Sequence, residues 1–372
     1  MKRLMITLGW ISISWTIASA QITYLDRPDL LEKVETCIQH TYGFSFGEAR
    51  DIQAELSKAS PGHPAPVFLE ALIVYWENFP LLPSNKASEQ FVSLMDGVIE
   101  MAKELREDSL TYTEGVFFDL FGRAFKAMFW ADNGKSGKVI GDLGNMYRYT
   151  KKGFDLKEEF VEFYFSTGLY NYYIEAYPEA HPAYKPFVSF MHKGDRELGL
   201  EQLGHAIDHA VFLKVEAILF MSIIQLKYQD DLNTAAIYAE KLVRQFPGNI
   251  MYQGHLIIIL LYQQRYSQVK DLLLETADQK DRYSEMTRTL AGAFLAEKVS
   301  GDETSARTGY LECIEYAESF GPFAEVYEAI AYMGLSRLHE KQRLQKEADA
   351  YARKASRLTN YAFILDEQAG SR

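Results

Sequence analysis

The amino-acid sequence predicts an all-α fold, an α-α superhelix of antiparallel helix hairpins, and three observations carry that expectation. Apolar residues recur at helical spacing along nearly the whole chain, whereas the strict two-residue alternation of strands is nearly absent. The helical segments are joined by short connections, which makes successive helices antiparallel neighbours. Short residue patterns also return at fixed offsets. The composition agrees: 372 residues with 48% hydrophobic and 24% charged content can bury a sizeable core. Only 11 Pro and 24 Gly, without a shift in composition along the chain, fit one elongated array as well as two or three domains.

The chain opens with Lys2 and Arg3, an apolar run from Leu4 to Ile17, and the small residues Ala18, Ser19 and Ala20. A charged start, an apolar stretch and an A-x-A site describe a signal peptide over 1–20, cleaved after Ala20. A membrane anchor needs about 20 apolar residues, and this run is shorter and interrupted by Ser12, Ser14 and Thr16. No Cys follows the small residues, so a lipoprotein anchor is not indicated. The expected location is periplasmic or extracellular, with no transmembrane segment after cleavage. Cleavage also removes two basic groups from a chain that already carries 51 Asp and Glu against 39 Lys and Arg, a net charge of -12. That balance argues against a nucleic-acid partner, whose phosphates are held by clustered Lys and Arg.

Helices are expected over 28–41, 46–59, 65–78, 87–105, 110–130, 138–152, 157–177 and 196–208. They continue over 214–228, 232–246, 250–264, 267–278, 284–298, 303–319, 324–340 and 343–358. The region 21–372 thus reads as one solenoid of about eight hairpins. Leu232, Ala235, Ala239 and Leu242 return thirty-four residues later as Tyr266, Val269, Leu273 and Thr276, apolar at three of four positions. Phe46, Ala49, Leu56 and Pro61 stand to Leu232, Ala235, Leu242 and Pro247 at a constant offset of 186. The small residue lets two helices approach, and the proline stops the second helix where the next unit begins. Cys37 and Cys313 sit at opposite ends of such an array, too far apart to bridge, so both should be buried and unpaired.

On these offsets the chain resembles the tetratricopeptide-repeat (TPR) family, with Gly168 and Tyr164, and Gly334 after Met333, at the glycine and aromatic positions of a first helix. The stretch 109–155 departs from the thirty-four-residue period. A narrower block, Gly168-Leu169-Tyr170-Asn171-Tyr172-Tyr173 followed by Gly194-Asp195-Arg196-Glu197-Leu198-Gly199-Leu200-Glu201-Gln202-Leu203, is similar to one shared by uncharacterised exported bacterial TPR proteins. A related pattern occurs in the eukaryotic inclusion-body-clearance group. This similarity covers about 168–250 and implies a fold and a helix junction, not an activity.

In TPR arrays, positions 2, 5, 9, 12 and 13 of each first helix line the concave face. With Gly168 at position 8, the resemblance places Phe165, Leu169, Tyr172 and Tyr173 there, with Glu162 as the polar exception. Framing from Pro61 and Pro247 adds Ala65, Phe68, Leu72, Tyr75 and Trp76, then Met251, Gly254, Ile258, Leu261 and Tyr262. An aromatic-lined groove over Phe68, Tyr75, Trp76, Phe165, Tyr172, Tyr173 and Tyr262 is therefore the expected binding site, for a peptide or protein partner and without catalysis. Aromatic side chains suit that task, since they supply contact area at low entropic cost.

Other constellations compete. His205 and His209 share a helix face at i and i+4, the spacing of zinc-peptidase helices, with Glu201 as a third candidate. A metal-dependent hydrolase is the alternative reading, although Asp208 is shorter than the Glu such chemistry uses, and two ordinary His on a polar face is the preferred one. Asp195 is expected to cap the following helix and Arg196 to pair with a carboxylate on the neighbouring hairpin. Gly134-Lys135-Ser136-Gly137-Lys138 lacks the spacing of a phosphate loop and reads as a turn. No catalytic residue, metal site or cofactor is assigned. Self-association through the solenoid ends is a third reading.

Overall fold

The structure, a computed structural model, describes residues 23–182 and 185–366, so the expected signal peptide over 1–20 lies outside the described residues. Among the described residues the fold is all-α. The helices are α1 (Pro28–Tyr42), α2 (Phe46–Ala59), α3 (Pro64–Glu77), α4 (Lys86–Leu105), α5 (Tyr112–Asp132) and α6 (Ile140–Leu156). After these come α7 (Phe163–Ala180), α8 (Lys185–Val188), α9 (Arg196–His209), α10 (Lys214–Lys227), α11 (Leu232–Gln245) and α12 (Ile250–Tyr262). The chain ends with α13 (Tyr266–Glu275), α14 (Arg282–Leu295), α15 (Glu303–Glu318), α16 (Glu325–Lys341), α17 (Gln345–Leu358) and α18 (Ala362–Leu365). Each long helix packs chiefly on its neighbours in sequence, which makes the architecture an array of hairpins. No helix among the described residues is long and apolar enough to cross a membrane.

Many helix starts are set by side chains that accept the first free amides. Asn85, Asp195, Asp231, Asn249, Asp281 and Asp302 do this for α4, α9, α11, α12, α14 and α15. Two expectations shift. Helix α7 begins at Phe163 instead of 157, because the chain turns first and sends Phe160 and Glu162 inward. It also runs past Pro178 to Ala180, since a proline in the last turn removes only one helical amide. The four-residue helices α8 and α18 are too short to show a period and were not expected.

The helix junction at 168–203 has a steric cause. A Cβ on Gly199 would stand 2.8 Å from the Tyr172 amide nitrogen and 2.9 Å from the Gly168 carbonyl oxygen, both backbone atoms. A Cβ on Gly168 would meet the Gly199 carbonyl at 3.0 Å. The two glycines are the point at which α7 and α9 cross, and no other residue lets the backbones come so close. Asp195 caps α9 through the Leu198 amide at 3.0 Å, as expected. Arg196 pairs with Glu179, which lies on α7 of the same hairpin and not on a neighbouring one.

Buried polar groups pin other junctions. Glu114, with no solvent exposure, accepts from the Thr23 hydroxyl and the Leu25 amide, both at 2.7 Å, and meets His63 Nε2 at 2.9 Å. Because His63 Nδ1 accepts from the Ala65 amide, Nε2 is the nitrogen that carries the proton toward Glu114. Near the other end, Arg337 grips Glu297 through two bonds of 2.8 Å, and the Tyr310 hydroxyl donates to the same carboxylate at 2.6 Å. Burial pushes the Glu297 carboxyl up, but these partners hold it below the usual range. The irregular stretch 109–155 is α5 and α6, where Asp119 binds both Arg106 and Arg123 and α6 buries only Tyr149 and Gly153. Cys37 and Cys313 are free and buried.

The array does not stay open. Tyr42 at the end of α1 packs on Phe246 and Tyr252, with ring centroids 5.8 Å and 6.4 Å away, and its carbonyl accepts from the Asn249 side chain at 3.1 Å. Gln245 donates to Gln39 at 3.0 Å, and Lys214 pairs with Glu35 at 3.2 Å. Phe79 reaches Tyr283 at 5.3 Å and Phe323 at 6.0 Å. Helix α1 thus closes against α10, α11 and α12, about two hundred residues away in sequence, and the turn after α3 against Tyr283 and Phe323.

Replacing Gly199 by Ala should destabilise the fold by about 1–3 kcal/mol, because backbone cannot yield as a side chain would. Gly204→Ala, in the same helix but with nothing within 4 Å of the added carbon, should be neutral or gain roughly 0.5–1 kcal/mol. Urea denaturation of both variants checks the contrast, and equal midpoints would refute the crossing-point assignment.

Candidate functional site

Closure of the array leaves a cavity of about 430 Å³ between α1, α3, α5, α10, α12 and α14. Its helices are built for burial. The sequences PAPVFLEALIVYWE of α3 and IMYQGHLIIILLY of α12 are apolar on nearly every face, so both sit inside the protein and not on its surface. Its wall is largely aromatic, with Tyr42, Tyr75, Trp76, Phe79, Phe220, Tyr252 and Tyr283 among the lining residues. A second cavity of about 320 Å³ lies alongside and shares Phe125, Met128, Glu216 and Phe220 with the first.

Helix α10, which carries Glu216, Leu219, Phe220 and Ile223 into the cavity, is positioned from its N-terminus. The Glu162 carboxylate accepts from the amides of Val211, Phe212 and Leu213 at 2.5, 2.9 and 3.0 Å. Burial pushes this carboxyl up to about 7, opposed by the three amides and by Lys214. The polar exception in the expected groove is therefore a structural latch between the α7 entry and the α9–α10 turn.

Two carboxyl groups face the cavity. Glu216 is 8% exposed, and its Oε2 atom has no hydrogen-bond partner. Burial raises this carboxyl to about 8, and Asp132, half-buried at the end of α5, to about 6. Phenols stand beside them: burial first, then the charge of Glu216, drives Tyr252 upward, as burial and Asp132 do for Tyr75. The Tyr42 and Tyr252 hydroxyls are buried without partners as well. Orphaned polar atoms in a walled space are unusual, since most buried polar groups are satisfied.

Of the residues expected to line a groove, Tyr75 and Trp76 meet on the first cavity, and Phe165 and Tyr173 on the second. Phe68, Tyr172 and Tyr262 line neither. Phe68 is fully buried, with Phe118, Phe125 and Phe212 around it at 6.0, 5.3 and 6.3 Å. Tyr172 is fully buried at the α7–α9 crossing, and its hydroxyl accepts from Gln229 at 2.7 Å. Tyr262 is packed between Phe294 and Phe363. The reason is local packing: α5 and the α9–α10 turn cover Phe68, the α7–α9 crossing covers Tyr172, and α14 and α18 cover Tyr262. Phe79, Asp132, Glu216, Phe220 and Tyr283 were not anticipated, because repeat positions do not reveal which distant helices meet.

The His205 and His209 rings lie 4.4 Å apart and tilted by 49°, and the Tyr164 ring lies 4.1 Å from His205. No group of three His, Cys, Asp or Glu side chains that could hold a metal ion occurs among the described residues. The 134–138 segment is a turn, with Lys135 and Lys138 over the Trp130 ring at 5.5 and 3.7 Å.

No protein-family model matches the chain, and no curated protein does. Among solved structures, a monomeric mutant of IFIT1 with Gppp-AAAA is 13% identical, covers 87% of this chain and 80% of its own, and has a TM-score of 0.35. A human IFIT1 dimer with PPP-AAAA is 14% identical, covers 88% of this chain and 85% of its own, and has a TM-score of 0.36. The cavity itself has to speak for function.

Two outcomes follow from the carboxyl groups. Glu162→Ala leaves three amides without their acceptor and should cost about 3 kcal/mol or more in urea unfolding; an unchanged midpoint refutes the latch. For Glu216 the native state holds a proton up to about pH 8, whereas the unfolded chain releases it near the ordinary glutamate value. The native state then binds more protons, and stability falls as pH rises toward 8. Glu162 adds the same sign up to about 7. Asp132 at about 6, and His255, which burial lowers to about 4, change stability at lower pH. Between pH 6.5 and 8, Glu216→Gln should therefore flatten the decline in Tm and gain on the order of 1–3 kcal/mol at pH 8. Parallel Tm curves for the two proteins would refute it.

Proposed function

We propose that this chain is an exported TPR-like binding scaffold, without catalysis, that takes an apolar group of a peptide or protein partner in the aromatic-walled cavity. The single observation behind this reading is the cavity of about 430 Å³, walled by aromatic side chains from several helices and holding unpartnered polar atoms. Its size lies within the roughly 300–1,000 Å³ of ligand sites, and a mostly apolar wall with a few convergent polar groups is their usual chemistry. The reading differs from an extended groove in one respect: the partner inserts a side chain or an end into a pocket and does not lie along the inner face. Export rests on the N-terminal pattern Lys2 to Ala20. Among the described residues the His205 and His209 pair gives the hydrolase alternative no third ligand to build on.

A neutral, environment-sensitive naphthalene fluorophore titrated into the full-length protein tests the reading. Saturable binding with a blue-shifted emission is expected, and Ile223→Trp, which fills the space from α10, should weaken it at least tenfold while leaving the urea midpoint nearly unchanged. Equal affinity for the filled variant would place the ligand elsewhere and overturn the cavity assignment.

A further inference from the structure

The walls of the cavity are chemically one-sided. Among the residues lining it and the adjoining cavity there are two carboxyl groups, Asp132 and Glu216, and no Lys, Arg or His. Three of the residues lining the first cavity carry a buried oxygen without a partner, Glu216 Oε2 and the hydroxyls of Tyr42 and Tyr252, on residues that are 8%, 1% and 1% exposed. All three are oxygens with free lone pairs. Around them the aromatic rings are close-set: Trp76 lies 5.0 Å from Tyr42, 5.3 Å from Phe79, 5.6 Å from Tyr75 and 5.7 Å from Tyr252.

Each class of occupant meets this surface differently. An anion would meet no basic side chain on the wall and would hinder ionisation of both carboxyl groups. A purely apolar group would fit the rings but leave the oxygen atoms buried and unsatisfied, which is costly. An ammonium group supplies N–H donors or a diffuse positive surface, favours the carboxylate form of Glu216, whose proton passes to solvent, and is attracted by aromatic faces. Resting on the binding reading above, we infer that the cavity recognises an ammonium group on an apolar stem, with Glu216 as its charge partner and Trp76, Tyr42 and Tyr252 as its cage. The cavity volume of about 430 Å³ exceeds what an ammonium head alone fills, so the stem occupies the apolar remainder, against Leu219, Ile223 and Met251. The amine belongs either to a lysine side chain of a partner peptide or to a free small molecule; the chemistry is shared.

Isothermal titration of the full-length protein with pentylammonium and with 1-pentanol, its neutral counterpart, reads the inference directly. The cation should bind about tenfold more tightly or better, and Glu216→Gln should reduce that preference to within about threefold. Glu216→Gln keeps the shape of the side chain and removes only its capacity to ionise, and its urea midpoint serves as the folding control. Equal affinities for amine and alcohol in the native protein overturn the ammonium inference and leave the cavity reading standing. Failure of the amine, the alcohol and the neutral fluorophore together overturns both. A preference intact in Glu216→Gln also overturns the assignment, because the charge partner would lie elsewhere. An N-acetylated lysine hexapeptide compared with its norleucine counterpart separates the sources: discrimination there supports a partner's side chain, and discrimination by the free amine alone supports a small molecule.

Discussion

Every structural feature of this protein turns on how a repeat array covers its first hairpin. In such arrays each unit buries its apolar face only against its neighbours, and a terminal unit has one neighbour too few. Here α1 and α3 find theirs across the array, through Tyr42 on Phe246 and Tyr252, Trp76 on Tyr252, and Phe79 on Tyr283 and Phe323. Hydrogen bonds at the rim, from Asn249 to the Tyr42 carbonyl and from Gln245 to Gln39, fix the register of that contact. The rings are too rigid to fill the enclosed space completely, so closure creates the cavity it surrounds.

The carboxyl groups give that cavity its character. A buried acid costs free energy unless it is paired, and this protein pairs most of its own: Glu114 with His63, Glu297 with Arg337, Asp119 with two arginines, Glu162 with three amides. Glu216 stands apart, because its Oε2 atom has no partner and no basic side chain lines the space it faces. Glu216 is thus the one buried acid among the described residues whose carboxyl keeps an unpartnered oxygen. Strain of this kind accumulates at sites of function more than in ordinary cores.

Stiffness of the scaffold matters to such a site. Helix α10 carries Glu216 and is held at its start by Glu162, and the Gly168–Gly199 crossing locks the preceding hairpin. A site on packed helices keeps its geometry better than one on loops.

Local chemistry made much of this legible in the sequence. The 3.6-residue period and the short connections gave the helices, since a helix is specified by residues within a few turns of each other; the segment 46–59 coincides with α2 to the residue. Asp195 announced its cap because capping is local, and the 168–203 block announced its junction because only glycine admits so close a crossing. The aromatic stripe identified Tyr75, Trp76, Phe165 and Tyr173 as inner-face residues, but it could not separate them from Phe68, Tyr172 and Tyr262, which the folded core consumes. That distinction depends on which helices meet across two hundred residues, and no local pattern records it. Only the tertiary structure brought Glu216 and Asp132 to one wall, because burial and the lack of a partner are properties of everything packed around a residue, not of its neighbours in the chain.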